Sequence, residues 1–452
     1  MIAERKTCRV CDGELVRGLD LGVQYVSDFP ATPDAALGIP GILPNAPLVL
    51  GRCRRCHLVQ LTCTVPREML YGQYWYRSGT NEVMRGALLD VVGSACEIFT
   101  AWQGRPLGER DTVIDIGAND GTLLSFYRLP TDSNKVLTRL AALGVDNIVI
   151  ASPGPQRIAF DPAQNLHSDL AQHCELLVPD YFPARRYEGP KAKIVTAIAM
   201  MYDLEDPQGF VEEVARVLDK DGVFVVQVGD LRSMVESTGF DAICHEHLEY
   251  YTYNNLRHLL WLHRLRIFHA QANSVNGGSL RIYACHDGAA YRPQRSIQAL
   301  ELQEAQLGYN TPVPLEQFEV RVALLRTKLR RWMIEMHEAG KRVDVYGAST
   351  KGNTTLQFLR FDSRFIHQAV DRSPAKWGRY TVGTRIPIVS EEHWRGGNAS
   401  DHALVLIWQF RGQVIEREIE YLKAGGKFIF PMPMPEIVSG TPDSGDVVGD
   451  AL

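Results

Sequence analysis

The chain has 452 residues, 45% of them hydrophobic and 22% charged, and a formal net charge of −5. That length suits about two to four domains, the balance is that of a globular enzyme, and the negative charge argues against nucleic acid as the main partner. The N-terminal MIAERKTCRVCDG lacks the apolar run of a signal peptide and no stretch approaches the roughly 18 apolar residues of a membrane helix, so the expectation is a cytoplasmic protein with no membrane partner.

Cys8 and Cys11 form C-R-V-C, and Cys53 and Cys56 form C-R-R-C. Each CxxC lets two thiolates reach one ion from a tight turn. Two such knuckles predict a closed, tetrahedral zinc site with a structural role. Redox-active or buried thiols are the alternative, and His57 and Cys63 are reserve ligands. Nine cysteines in a reducing compartment do not predict a disulfide framework.

DTVIDIGANDGTLLSFY (111–127) reads as strand, glycine turn and helix, with Val113, Ile114 and Ile116 in the strand and Gly117, Asn119 and Gly121 in the turn. Glycine permits positive φ and close backbone approach, and Asn is the next most tolerant residue. This is the first βα turn of a doubly wound sheet, where ligands bind at the carboxyl ends of strands. The turn alone would suit NAD, FAD or S-adenosylmethionine (SAM). The absence of GxGxxG, Asp115 just before the turn, and Asp161 at the end of RIAFDP favour SAM, with Asp161 gripping ribose hydroxyls. The gap to Asp161 implies an insertion over about 130–156. AKIVTAIAMMYDLEDPQGFVEEVARVLDKDGVFVVQV (192–228) then predicts strand, loop, helix, a turn at Asp219 or Asp221 with Gly222, and strand. D-I-G-x-N-x-G followed by a strand ending at Met200-Met201-Tyr202-Asp203 resembles class I SAM-dependent methyltransferases. The resemblance places Met200 and Met201 beside the cofactor.

FDAICHEHLEYYTYNN (240–255) crowds His245, Glu246, His247, Glu249, Tyr250 and Tyr251 together. It is not HExxH, so a thermolysin-type zinc site is not expected. It lies after the strand VFVVQVGD and a short helix around LRSMVE, above the carboxyl edge of the sheet. Together with CRVC, CRRC, YGQYWYRSGTNEVM, DIGANDG, SVNGGSLRIYA, VDVYGASTKGNTTL, DRSPAKWGRYTVGTRIPI and GGKFIFPMP, it makes the chain resemble, nearly end to end, the sugar C-methyltransferases of deoxysugar biosynthesis. Those are three-part enzymes: a four-cysteine zinc domain, a SAM domain and a C-terminal α/β domain.

The resemblance implies a HEH motif at His245, Glu246 and His247. His247 is the expected base that removes a proton beside a ketone, with a pKa near neutrality, and Glu246 orients or tunes it. His245 is an additional catalytic candidate, although packing is the expected role for His245 and Tyr250. The YxYxS segment falls on Tyr74, Tyr76 and Ser78, with Tyr76 the foremost substrate contact and a neighbour of the cofactor. Asn276, in SVNGGS, is a further candidate. The chain departs from the family in three places: Cys244 stands where a tyrosine is common, the loop at Met201 and Tyr202 where some members have a histidine, and Gln409 where many do.

ALELQEAQLG and VRVALLRTKLRRWMIEMHEAG predict linking helices with a kink at TPVP (311–314). KRVDVYGASTKGNTTLQFL repeats strand, glycine turn and helix, with Gly347, Ser349 and Lys351 in a turn that resembles a phosphate cradle without being GxxxxGK[ST]. Asp371, Lys376 and Arg379 follow the next strand. The set suits a nucleotide diphosphate, the handle of an activated sugar; a purely structural role is the alternative.

The expected fold class is α/β, a class I SAM methyltransferase Rossmann-like core with a small N-terminal zinc domain and a C-terminal Rossmann-like domain. The expected divisions are a zinc domain over 1–70, a methyltransferase domain with an N-terminal helical lid over 71–290, a helical linker over 291–340, a substrate domain over 341–438 and a disordered tail over 439–452. The expected activity is SAM-dependent C-methylation of a nucleotide-activated ketodeoxysugar, with SAM and structural Zn2+ as cofactors, a nucleotide-sugar or related small molecule as partner, and a monomer or weak homodimer. O- or N-methylation of a related metabolite and a non-catalytic zinc scaffold are the alternatives. An NAD-dependent oxidoreductase is disfavoured, because GASTKG lacks the dinucleotide pattern.

Overall fold

The computed structural model describes residues 2–37, 44–72, 74–128, 154–182 and 187–440. Most of the expected insertion (130–153) and tail (441–452) lies outside these residues.

A seven-stranded sheet forms the centre: β1 Thr112–Ile116, β2 Gln156–Phe160, β3 Leu176–Val178, β4 Ala192–Ile198, β5 Leu218–Gly229, β6 Leu265–Asn273 and β7 Ser279–His286. The spatial order is β3-β2-β1-β4-β5-β7-β6, with β7 antiparallel to both neighbours and the other pairs parallel. All five residues of β1 are buried, as expected of a parallel strand covered on both faces. On one face Val113, Val223 and Val225 pack against Val91, Val92, Ala95 and Phe99 of the helix Glu82–Gln103. That helix starts where the Asn81 side chain accepts the Val83 N–H and stops at Gly104, φ +67, a left-handed cap suited to glycine. On the other face Ile114, Ile116, Phe224 and Val226 meet Phe210, Val211 and Val214 of Pro207–Val217.

The turn expected at Asp219–Gly222 is instead an irregular stretch of β5, where the register shifts between Leu218 and Val223. A Cβ on Gly222 would lie 2.8 Å from the Ala192 carbonyl oxygen, so glycine lets the strand pass close to β4 without leaving the sheet.

The C-terminal sheet contains β8 Val343–Tyr346, β9 Ala369–Asp371, β10 Ile388–Ser390, β11 His402–Val405, β12 Lys427–Phe430 and β13 Glu436–Val438, in the order β10-β9-β8-β11-β12-β13. Only the β12–β13 pair is antiparallel. The linker is two helices, Arg295–Leu307 and Val313–Glu338. The expected kink at 311–314 is a full break: Gly308 caps the first helix at φ +73, and Pro312 and Pro314 open the second.

The N-terminal residues form an antiparallel sheet of Leu15–Tyr25, Asn45–Cys53 and Val59–Leu61. Its fourth strand is Glu249–Tyr250, from the HEH segment, with Glu249 paired to Gln60 and Tyr250 to Val59. One apolar cluster runs through all three regions, joining Leu48 and Leu61, Phe240 and Leu248, Phe318 and Trp332 of the second linker helix, and Val345 and Leu404. Among the described residues, no helix is long and apolar enough to cross a membrane.

Trp332 is 4% exposed and sits where these regions meet. Truncating a buried aromatic costs about 3–5 kcal/mol. Trp332→Ala is therefore expected to lower the thermal midpoint of the whole chain, as read by circular dichroism.

Candidate active site and zinc centre

Cys8, Cys11, Cys53 and Cys56 bring their sulfurs within 4.8 Å of one another. The pairs Cys8–Cys56 and Cys11–Cys53 are 3.5 and 3.4 Å apart. Tetrahedral ligands at about 2.3 Å from zinc stand about 3.8 Å from each other, so the four thiols fit a zinc ion with little adjustment. Backbone N–H groups of Val10 and Arg55 donate to Cys8 Sγ and Cys53 Sγ. Gly13 is required because a Cβ there would lie 2.8 Å from Cys53 Sγ. The reserve ligands stay out of the cluster: His57 Nδ1 pairs with Arg52 at 2.8 Å, and Cys63 sits in the two-stranded pairing with residues 3–4.

The glycine turn after β1 has Gly117 at φ +71, Asn119 at +54 and Gly121 at +79. The Asp161 carboxylate accepts the Asn119 N–H at 2.7 Å and the Ala163 N–H at 2.8 Å, which fixes the end of β2 against the turn. Asp115 is buried and accepts from Thr196 Oγ1 at 2.6 Å; burial pushes its carboxyl up to about 7. Met200 packs over the turn, with Cγ 3.0 Å from where a Gly117 Cβ would be. Met201, which opens the short helical turn Met201–Asp203, is fully buried in the core, so of the two methionines it is Met200 that packs against the glycine turn.

A strap formed by residues 74–80 crosses this turn. Ser78 N–H donates to Asn119 Oδ1 at 3.0 Å, Gly79 N–H to Asp120 Oδ2 at 2.7 Å, and Asn119 Nδ2 to the Tyr76 carbonyl at 3.1 Å. Tyr74 exchanges backbone bonds with the Asn165 side chain at 3.0 and 2.9 Å, and Arg77 pairs with Asp169. Tyr76 itself is 41% exposed. The sequence reading missed Asp120, Asn165 and Arg77, which hold the strap; their contacts span more than forty residues and leave no local pattern.

The HEH loop lies in a pocket between the central and C-terminal sheets, lined by Tyr202, Asp241, His247, Asn276, Lys351 and Gln409 among others. His247 Nδ1 donates to the Ala242 carbonyl at 2.8 Å, which leaves Nε2 as the free lone pair. The Tyr202 ring meets the imidazole edge-on at 4.4 Å. Burial and the Lys351 charge hold His247 down at about 3, whereas burial pushes Glu246 up to about 7. The group titrating near neutrality is thus the carboxyl and not, as the sequence suggested, the imidazole. Lys351 also acts on Asp241 and Cys244. Cys244, Glu246 and His247 bring potential ligand atoms within 4.8 Å of one another, but Lys351 already supplies a cation there, which favours proton transfer over metal binding. Asp241 Oδ2 accepts from Trp408 Nε1 at 3.0 Å, across the two sheets. Ala199 lines the same pocket at φ +54, a strained position for a non-glycine residue that sequence pattern could not reveal.

Other expected residues fall elsewhere. His245 is 4% exposed, bonds the Ala46 carbonyl at 3.0 Å and is held down at about 4 by burial; it anchors the loop to the N-terminal sheet and does not line the His247 pocket. Asn276 sits in the pocket at φ +55. In the C-terminal turn only Lys351 reaches the pocket. Gly347 has φ +92 and no room for a Cβ beside Ile407, and Ser349 Oγ caps the helix Thr350–Leu359 by accepting the Gly352 N–H. Lys376 binds the Ala348 carbonyl at 2.7 Å and Asp371 at 3.2 Å, and Arg379 binds the Phe29 carbonyl at 3.1 Å. These groups clamp the 26–30 loop of the N-terminal region, so their charge is engaged within the chain.

Three family models match the chain: a putative zinc binding domain over 8–71, a methyltransferase domain over 95–269 and a C-methyltransferase C-terminal domain over 274–433. A curated relative, the C-methyltransferase NovU of Streptomyces niveus, is 27% identical over 443 residues, covering 96% of both chains. Solved structures include magnesium protoporphyrin IX methyltransferase from Synechocystis PCC 6803 with bound SAM (13% identity, 49% of this chain, 89% of that one, TM-score 0.31). Another is the N-methyltransferase NodS from Bradyrhizobium japonicum WM9 (10% identity, 45% and 96%, TM-score 0.29). Scores this low add nothing to the strand order already described. The sheet, the glycine turn and the domain matches define a SAM-dependent methyltransferase with a structural zinc centre. More narrowly, the chain carries in one order matches to a zinc-binding domain, a methyltransferase domain and a C-methyltransferase C-terminal domain, and is similar over nearly its whole length to a C-methyltransferase.

Gly121 leaves no room for a side chain: a Cβ would lie 2.9 Å from His173 Cβ. Gly121→Val is expected to weaken SAM binding by about tenfold or more in calorimetry, since strain of this kind costs on the order of 1–3 kcal/mol.

Proposed function

We propose that the protein methylates a carbon next to the ketone of a nucleotide-activated deoxysugar. The observation that carries this reading is a neutral imidazole with Nε2 free, flanked by Glu246 and Lys351, in a pocket walled by both the central and the C-terminal sheets. The relative named a C-methyltransferase supports carbon as the acceptor.

SAM, held along Asp115, Gly117, Asn119, Gly121, Asp161 and Met200, supplies an electrophilic methyl group. The acceptor must become a nucleophile. His247 Nε2 takes the proton beside the ketone, and the C–H electron pair becomes an enolate. The Glu246 carboxylate stabilises the resulting imidazolium. The Lys351 ammonium stabilises the enolate oxygen in a site with little water. The bound cofactor would supply the methyl group that the enolate carbon takes up, and the chain's own part is to hold that carbon in line with it. Tyr76 and Tyr74 on the strap, with Asn276, are the proposed sugar contacts that hold the in-line geometry. Lys351 is the proposed positive contact from the C-terminal domain.

The test is mass spectrometry with labelled SAM and a panel of TDP-, UDP- and GDP-4-ketosugars in deuterium oxide. Wild type is expected to add one methyl group or to take up deuterium beside the ketone. His247→Ala is expected to do neither while still binding SAM. Absence of both in wild type across the panel, with SAM bound, would sink the ketosugar reading. Methyl gain on an oxygen without carbon exchange would make it an O-methyltransferase.

The pH dependence follows from the two shifts. His247 is already neutral at any working pH, and Glu246 is ionised only above about 7. Exchange is therefore expected to rise with pH through about 7, and Glu246→Gln to lose that acid limb and run at a lower plateau.

A further inference from the structure

The loop that carries His247 runs directly into a strand of the zinc domain, and a buried ion pair marks the junction. Arg9 lies between the zinc-ligand cysteines Cys8 and Cys11. Its Nε is 3.5 Å from Glu249 Oε1, and both side chains are 0% exposed. We propose that Arg9 and Glu249 are positioning residues through which the zinc centre sets the placement of His247, an inference that rests on the catalytic role proposed above.

The connection is continuous. Arg9 donates from its guanidinium to the Leu61 carbonyl at 2.8 Å, to Thr64 Oγ1 at 2.8 Å and to Gln60 Oε1 at 3.3 Å. Gln60 returns a bond to Cys8 Sγ at 3.2 Å and accepts the Arg9 backbone N–H at 3.0 Å. The same guanidinium therefore spans a zinc ligand's neighbour, the strand Val59–Leu61 and the strand Glu249–Tyr250. The Leu61 N–H donates to the Leu248 carbonyl at 2.9 Å, and the Leu248 N–H to the Tyr202 carbonyl at 2.7 Å. Residue 248, next to His247, is thus held from both sides, by the zinc domain and by the wall of the pocket. The second knuckle docks as well, with Asn255 Nδ2 donating to the Cys56 carbonyl at 2.9 Å.

Burial makes the pair matter. Removing the Arg9 guanidinium takes its hydrogen bonds to Leu61, Thr64 and Gln60 out of a buried junction and leaves the Glu249 side chain without its neighbour, so the local structure must move to accommodate the loss. Glu249 opens the strand two residues after His247, whose N–H closes a turn on the Cys244 carbonyl at 3.1 Å, so movement of one shifts the other. A displacement of about 1 Å at a catalytic group costs on the order of a hundredfold in rate.

The test compares wild type with Arg9→Met, Arg9→Lys and Glu249→Gln in the full-length, zinc-loaded chain. Amide hydrogen exchange of the peptide 244–252, zinc content, SAM affinity, KM and kcat are the readouts. Arg9→Met is expected to keep its zinc and to bind SAM as wild type does. Exchange across 244–252 should accelerate, kcat fall by roughly a hundredfold and KM change little, in line with a displaced base. Arg9→Lys should recover part of both protection and kcat. Wild-type exchange at 244–252 in zinc-loaded Arg9→Met would overturn the proposal. If Arg9→Met does not fold, zinc is stripped from wild type with a chelator. Loss of protection at 244–252 while 112–125 stays protected supports the link, and retained protection at 244–252 overturns it. The exchange measurement needs no acceptor, so it stands or falls separately from the ketosugar assay.

Discussion

The arrangement depends on keeping ionisable groups dry. Removal from water favours the uncharged form of any acid or base, and in this pocket that single constraint sets each role. Together with the Lys351 charge, it holds His247 in its neutral form. It moves Glu246 to a point where its charge can be switched near neutrality. It also makes the Lys351 ammonium effective over the whole cluster, since a charge is screened least where water is absent. The dryness is not a property of one domain. It is produced by the apolar cluster that passes from the N-terminal sheet through Phe240, Leu248 and the linker helix to the C-terminal sheet.

The glycine turn and the strand order serve the donor side by a different device. Left-handed backbone at Gly117, Asn119 and Gly121 turns N–H groups toward the sheet edge, and the Asp161 carboxylate fastens the neighbouring strand end to them. The strap then covers the turn with bonds from Ser78 and Gly79. The glycine turn is therefore built by short-range backbone geometry and the His247 pocket by long-range burial.

That contrast explains what could be read in advance. Each knuckle and the DIGANDG turn are contiguous in sequence, and their chemistry follows from residue type and spacing, whereas the roles expected of the HEH residues rest on the family resemblance. Met200 against Met201 was not separable, because the exit from β4 decides which side chain faces the turn. Lys351, Lys376 and Arg379 look alike as cations, yet two of them are spent on carbonyls of Ala348 and Phe29. His245 and His247 differ by two positions in one motif, but one bonds the carbonyl of Ala46 and the other that of Ala242. The imidazole's displacement from neutrality also lies beyond sequence, since it requires knowing how much water is excluded.

The edge strand Glu249–Tyr250 bears on how such a protein can be recombined. By chain position the zinc-binding segment ends near residue 71, and it looks like a unit that could be exchanged between relatives. Its sheet, however, is completed by residues that arrive nearly two hundred positions later. A graft cut at the apparent boundary would carry three strands without their fourth and would strip the recipient's own loop of its partner. The unit that can be transplanted is thus discontinuous: the knuckles together with the segment 244–252.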